Sequence, residues 1–97
     1  MNLIISHVGK NFIGQIQAEL ESRGVVWEGE KKFPHKPQFP PFVVVEEGKR
    51  AYYGLEESQL AFANNGVGTD FKMVSEANFI VTAGMIPRDD ADWMEKL

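Results

Sequence analysis

From Val25 to Gly54 the chain reads VVWEGEKKFPHKPQFPPFVVVEEGKRAYYG, and this stretch holds the strongest strand signal, the basic cluster and four of the five prolines. Val25, Val26 and Trp27 are β-branched and aromatic residues behind Gly24, the pattern of a short strand leaving a helix end. Phe42 to Val45, the turn Glu46-Glu47-Gly48-Lys49 and the run from Arg50 to Gly54 predict a β-hairpin, with Gly48 supplying a positive φ. Between them, Pro34, Pro37, Pro40 and Pro41 cannot donate to a central ladder and hold their predecessors extended. Residues 28–41 therefore read as a proline-rich loop.

Upstream, Leu3, Ile4 and Ile5 predict an opening strand over residues 3–6. Phe12, Ile13, Ile16 and Leu20 fall at helical spacing and predict a helix over 11–23, with Asn11 as N-cap and Gly24 just past the end. Gly14 inside that helix suggests a close approach to the sheet, since glycine there costs about 1 kcal/mol relative to alanine. Downstream, residues 55–65 predict a short helix carrying Leu60 and Phe62, and residues 71–74 predict an edge strand. Ser75 can cap a helix through Phe79, Ile80 and Ala83 that closes at Gly84, although Phe79-Ile80-Val81-Thr82 also fits a strand. After Pro87, Asp89, Asp90, Asp92 and Glu95 surround Trp93 in an acidic tail. Trp93 and Leu97 lie one helical turn apart, so the tail can dock as a short amphipathic turn.

The expected fold is a single small α+β domain over residues 1–87, followed by the acidic C-terminal tail 88–97. It has a mainly antiparallel sheet of three to five strands (3–6, 25–27, 42–46, 50–53 and an edge strand at 71–74). One principal helix packs across it, with short C-terminal helices. The expected core is Leu3, Ile5, Phe12, Ile16, Leu20, Trp27, Phe42, Val44, Tyr52, Leu60, Phe62 and Phe79.

The 97 residues are 43% hydrophobic and 25% charged, the balance of a globular chain rather than a disordered one. No apolar run approaches the length of a membrane span and no signal-peptide pattern opens the chain, so a cytoplasmic protein without a membrane partner is expected. The absence of cysteine excludes disulfides, thiolate zinc sites and thiol nucleophiles. A net charge of −4 opposes general nucleic-acid binding, which needs a basic surplus.

The order of a helix, Gly24, Trp27 and Gly29 as Gly-x-x-Trp-x-Gly, a proline before a hairpin ending in Tyr53-Gly54, and a short helix around Phe62 resembles small accessory proteins of tailed bacteriophages. The resemblance spans roughly residues 3–82 and rests on structural glycines and aromatics; the proline-rich loop and the acidic tail depart from it. It implies a phage or prophage origin and a role in a host bacterial cytoplasm. It carries no catalytic residue across.

Two sites stand out for binding. Asp89, Asp90, Asp92 and Trp93, with Tyr53 on the hairpin, suit a contact with a host protein, the carboxylates as a charged surface and the ring as an anchor. Lys31, Lys32, Phe33, His35, Lys36 and Phe39, joined by Arg50, mix cations with rings that stack on bases, which suits a nucleic acid or nucleotide. Nothing suggests catalysis: Glu46-Glu47 and Glu56-Glu57 are adjacent pairs whose side chains diverge, His7 stands alone, and Gly66-x-Gly68 lacks the frame of a phosphate loop. No metal site or cofactor is expected, because His7 and His35 lie far apart and no calcium-loop pattern is present. The functional expectation is a non-catalytic accessory protein that binds and modulates a host defence, nuclease or transcription component. The alternative is a small nucleic-acid or nucleotide-binding accessory protein. A monomer or a homodimer is compatible with either.

Overall fold

The computed structural model describes residues 1–35, 40–55 and 71–97. In chain order the elements are β1 (Asn2–Ser6), α1 (Ile13–Ser22), β2 (Val26–Trp27), β3 (Phe42–Glu46), β4 (Arg50–Gly54), β5 (Phe71–Ser75), α2 (Glu76–Ala83) and a terminal 3-10 turn (Trp93–Lys96). The five strands form one sheet in the order β2-β4-β3-β1-β5. The expected helix at 55–65, with Leu60 and Phe62, lies outside the described residues, as do Lys36 and Phe39.

The α+β class holds, but the sheet is mixed rather than mainly antiparallel. β3 pairs antiparallel with β1 and β4, whereas β1–β5 and β2–β4 are parallel, so β3 runs against the other four strands. For β2 the physical reason is the helical connection: α1 carries the chain back along the sheet, so the strand that follows runs in the same sense as β1. The packing is also more evenly shared than one principal helix with short C-terminal helices implies, since α2 packs beside α1 on the sheet core.

The continuous apolar runs Leu3-Ile4-Ile5 and Phe42-Val43-Val44-Val45 mark strands covered on both faces. Cross-strand register sorts them: Leu3 faces Val45, Ile4 faces Val44 and Ile5 faces Val43. Leu3, Ile5, Val43 and Val45 pack with Ile16 and Leu20 of α1 and with Phe79 and Ala83 of α2. Ile4, Phe42 and Val44 form a second buried cluster, with Tyr52 half-buried at its margin. Truncating a fully buried side chain such as Ile16 or Leu20 to alanine costs about 2–5 kcal/mol.

Several local expectations shift. The backbone turns at residues 9–12, where the Phe12 amide donates to the Gly9 carbonyl, so α1 begins at Ile13 and Asn11 is not its cap. Phe12, expected in the core, is 45% exposed because it precedes the first helical turn. Trp27 and Tyr52 are half-buried, and Gly14 lies on an open face where an added Cβ would meet nothing within 4 Å. The other end of α1 follows the sequence closely. Gly24 has φ +82°, its amide donates to Glu21, and the Val25 amide donates to Leu20, the paired bonds that end a helix on a left-handed residue. Residues 79–82 are helical, with Ser75 Oγ accepting from the Asn78 amide at 3.2 Å.

Candidate functional site

The acidic tail is a docked segment. Trp93 and Met94 are 6% and 7% exposed and belong to the main core. Arg23, at the C-cap of α1, builds the seat: its guanidinium lies 5.1 Å from the centre of the Trp93 ring and donates to the carbonyls of Ala83 (2.7 Å), Ile86 (2.8 Å) and Pro87 (3.0 Å). Glu19, one turn earlier on α1, accepts from Arg23 at 2.9 Å and lies 3.7 Å from Arg88. From the sheet side, Lys72 Nζ donates to the carbonyls of Glu95 (2.8 Å) and Leu97 (3.0 Å) at the C-terminal end of the 3-10 turn, where a cation is favoured. Trp93, expected as an anchor for a partner, therefore has its ring inside this protein.

The carboxylates remain on the outside. Asp89, Asp92 and Glu95 are exposed, and Asp90 pairs with Lys96 while accepting from the Asp92 amide. The Lys96 ammonium holds the Asp90 carboxyl below its usual range, and Asp90 in turn raises Lys96. Beside this segment lies a cleft of about 190 Å³ lined by Met1, Glu47, Gly48 and residues 91–95. The hairpin turn forms its other wall, with the amino terminus 3.1 Å from Glu47 Oε2 and the Glu47 amide donating to Asn2 Oδ1. Glu47 itself takes φ +54°, beside Gly48 at +66°, so the turn projects its carboxylate from a tight bend. Glu47, Asp92 and Glu95 thus present three carboxylates against one ammonium. Glu47 was missed as a site residue because its nearness to the tail depends on tertiary packing.

The basic aromatic loop is drawn inward. Tyr53 meets Trp27 edge to face at 5.0 Å and Phe33 at 6.3 Å, and Phe33 packs against the core. Gln17 Nε2 donates to the Lys31 carbonyl (2.7 Å) and to the Tyr53 hydroxyl (3.3 Å), fixing the loop to α1. Lys31 pairs with Glu21, and Arg50 lies between Glu28 (3.3 Å) and Glu46 (2.5 Å). Lys32 and His35 are exposed. Of the seven residues expected to form a nucleic-acid surface, Lys31 and Arg50 have their charge offset by carboxylates and Phe33 has its ring engaged. Tyr52 donates to Glu46 at 2.7 Å. Burial pushes both Tyr52 and Tyr53 up to about 12, with the Glu46 hydrogen bond adding to the effect on Tyr52.

Among the described residues no helix is long and apolar enough to cross a membrane, and no three His, Cys, Asp or Glu side chains converge as metal ligands. What the surface offers chemically is a set of exposed carboxylates, on a segment whose backbone is anchored, beside a cleft suited to cationic groups. No protein-family model, curated protein or solved structure matches the chain.

Proposed function

We propose that this protein is a non-catalytic accessory protein of the phage type that binds a host protein through a basic patch on that host, seated on the face formed by Asp89, Asp92, Glu95 and Glu47. The observation that carries this reading is the anchoring of the acidic segment by Arg23, Lys72, Trp93 and Met94. Anchored carboxylates lose little conformational freedom on binding, so their charge can act on a partner's approach and orientation. The host component is of the defence, nuclease or transcription class, whose members commonly expose basic surface for nucleic acid.

The test is capture from a bacterial lysate on the immobilised chain, with nuclease added, comparing the native protein with the Asp89→Lys, Asp92→Lys, Glu95→Lys variant. A stoichiometric host protein retained after nuclease, released by salt and lost with the charge-reversed variant is expected. Equal recovery of that protein on the variant would remove the acidic face as its contact. Nucleic acid in the eluate, lost when Lys31 and Lys32 are replaced by alanine, would favour the loop instead.

A further inference from the structure

The two edges of the sheet are built differently. β2 contributes two residues, and because the Val26 and Glu28 amides donate inward to the Lys49 and Ala51 carbonyls, alternation leaves Trp27 as the one strand residue whose backbone faces outward. A short edge of this kind offers little to another strand. β5 runs five residues, Phe71-Lys72-Met73-Val74-Ser75, without proline. Ser6 Oγ donates to the Val74 carbonyl at 3.3 Å, which puts that carbonyl on the β1 side. By strand alternation the amides and carbonyls of Phe71, Met73 and Ser75 point away from the sheet, and among the described residues no strand pairs with them.

The usual guard of such an edge is a lysine, and here it is occupied. Lys72, the single charge in β5, is bent back onto the carbonyls of Glu95 and Leu97. Phe71 and Met73 stay 36% and 46% exposed. The helix that follows continues the pattern: Glu76 is the one charged residue of α2, and its carboxylate accepts the Gly9 amide. The exposed positions Ala77, Asn78 and Val81, with Met85 just beyond the end, are uncharged, and Val81 and Met85 are 64% and 74% exposed. A surface helix normally carries charge on its outer face. In a chain with a net charge of −4, the exposed positions of β5 and α2 carry no acidic side chain among the described residues, so two copies can meet there without acidic repulsion.

We propose that the β5 edge is a self-association surface on which a second copy of this chain pairs antiparallel about a two-fold axis at Met73. The register follows from the strand. Centring on Met73 lets its outward amide donate to the Met73 carbonyl of the second copy and its own carbonyl accept in return, places Phe71 opposite Ser75, and puts Lys72 opposite Val74. Centring on Lys72 would oppose two ammonium groups and present inward-facing backbone. An axis normal to the sheet also keeps both α2 helices on one face, so the same operation brings their uncharged sides together. The product is a continuous sheet of ten strands, with interface contacts repeated in reciprocal pairs.

Sedimentation of the full chain over a range of concentrations tests this surface separately from the acidic face. A species of twice the 10.9 kDa chain mass is expected. Met73→Lys, at an exposed position, should raise the dimer dissociation constant by about tenfold or more, because like charges then lie directly opposite. The chain has no cysteine, so Met73→Cys places one thiol per copy on the axis, with Cα atoms about 5.5 Å apart, within disulfide reach. Mild oxidant should cross-link that variant covalently and leave Val26→Cys, on the opposite edge, without a cross-link. A chain that stays monomeric at every concentration overturns the proposal. So does a dimer indifferent to Met73→Lys, or equal cross-linking at Val26→Cys.

Discussion

Arg23 is a cation taken out of water, with its side chain 1% exposed, and it depends on every partner it has. Replacing it by methionine keeps much of the volume but strands Glu19 and three carbonyls, so a loss of about 3–5 kcal/mol is expected in urea unfolding. Arg23→Lys should recover little, because a point charge cannot address Glu19 and three carbonyls with the fork of a guanidinium. An unchanged midpoint for Arg23→Met would show that the cation is not what seats the tail. The tyrosines add a pH dependence of defined sign. Their folded pKa, near 12, lies above the ordinary value of 10.0, so the folded state holds the phenolic proton more tightly. The stability they contribute is whole below pH 10 and is lost as pH rises through 12. Both rings are only half-buried, so the effect is modest. The denaturation midpoint should fall less steeply over this alkaline window in Tyr53→Phe than in the native chain, and equal slopes would assign the loss to other groups.

At the scale of elements, the hairpin carries a close approach that the sequence marks only as a glycine. Phe42 lies opposite Gly54 across the ladder, and a Cβ built on Gly54 would come 2.0 Å from the Phe42 ring. Phe42 is 2% exposed and has little room to yield. Gly54→Ala should therefore destabilise the fold by about 1–3 kcal/mol through overpacking. Adding Phe42→Leu should return part of that loss in the double variant, and strict additivity of the two changes would place their costs elsewhere. Much at this scale was legible: the hairpin and its turn, the left-handed end of α1 and the Ser75 cap are each written in two or three adjacent residues. Strand direction was not, because the side-chain pattern of Val26-Trp27 or Phe71-Lys72-Met73 is the same whether the neighbouring strand runs with it or against it.

Across the whole molecule, charge is sorted by side. Among the described residues, carboxylates gather where the hairpin turn meets the docked segment, whereas the exposed positions of β5 and α2 are almost uncharged. The acidic run at residues 89–95 could be read from the chain, but its anchoring could not, since Arg23 holds the Pro87 carbonyl before it from 64 residues away and Lys72 holds the Glu95 carbonyl from 23. The basic loop misled for a related reason: Glu21 meets Lys31 and Glu28 meets Arg50 only after folding, while Glu46 reaches Arg50 across the hairpin turn.

β1 lies between β3 and β5, so it is made before either of the strands that pair with it. Leu3, Ile4 and Ile5 gain one neighbour only after residue 46 and the other only after residue 75 have been synthesised. At elongation rates of about 5–20 residues per second, that leaves an apolar segment unpaired for several seconds on each nascent chain. The price of a central first strand is thus a dependence on what shields the emerging chain, and slowing translation between β3 and β5 should lower the yield of folded protein before it alters the fold.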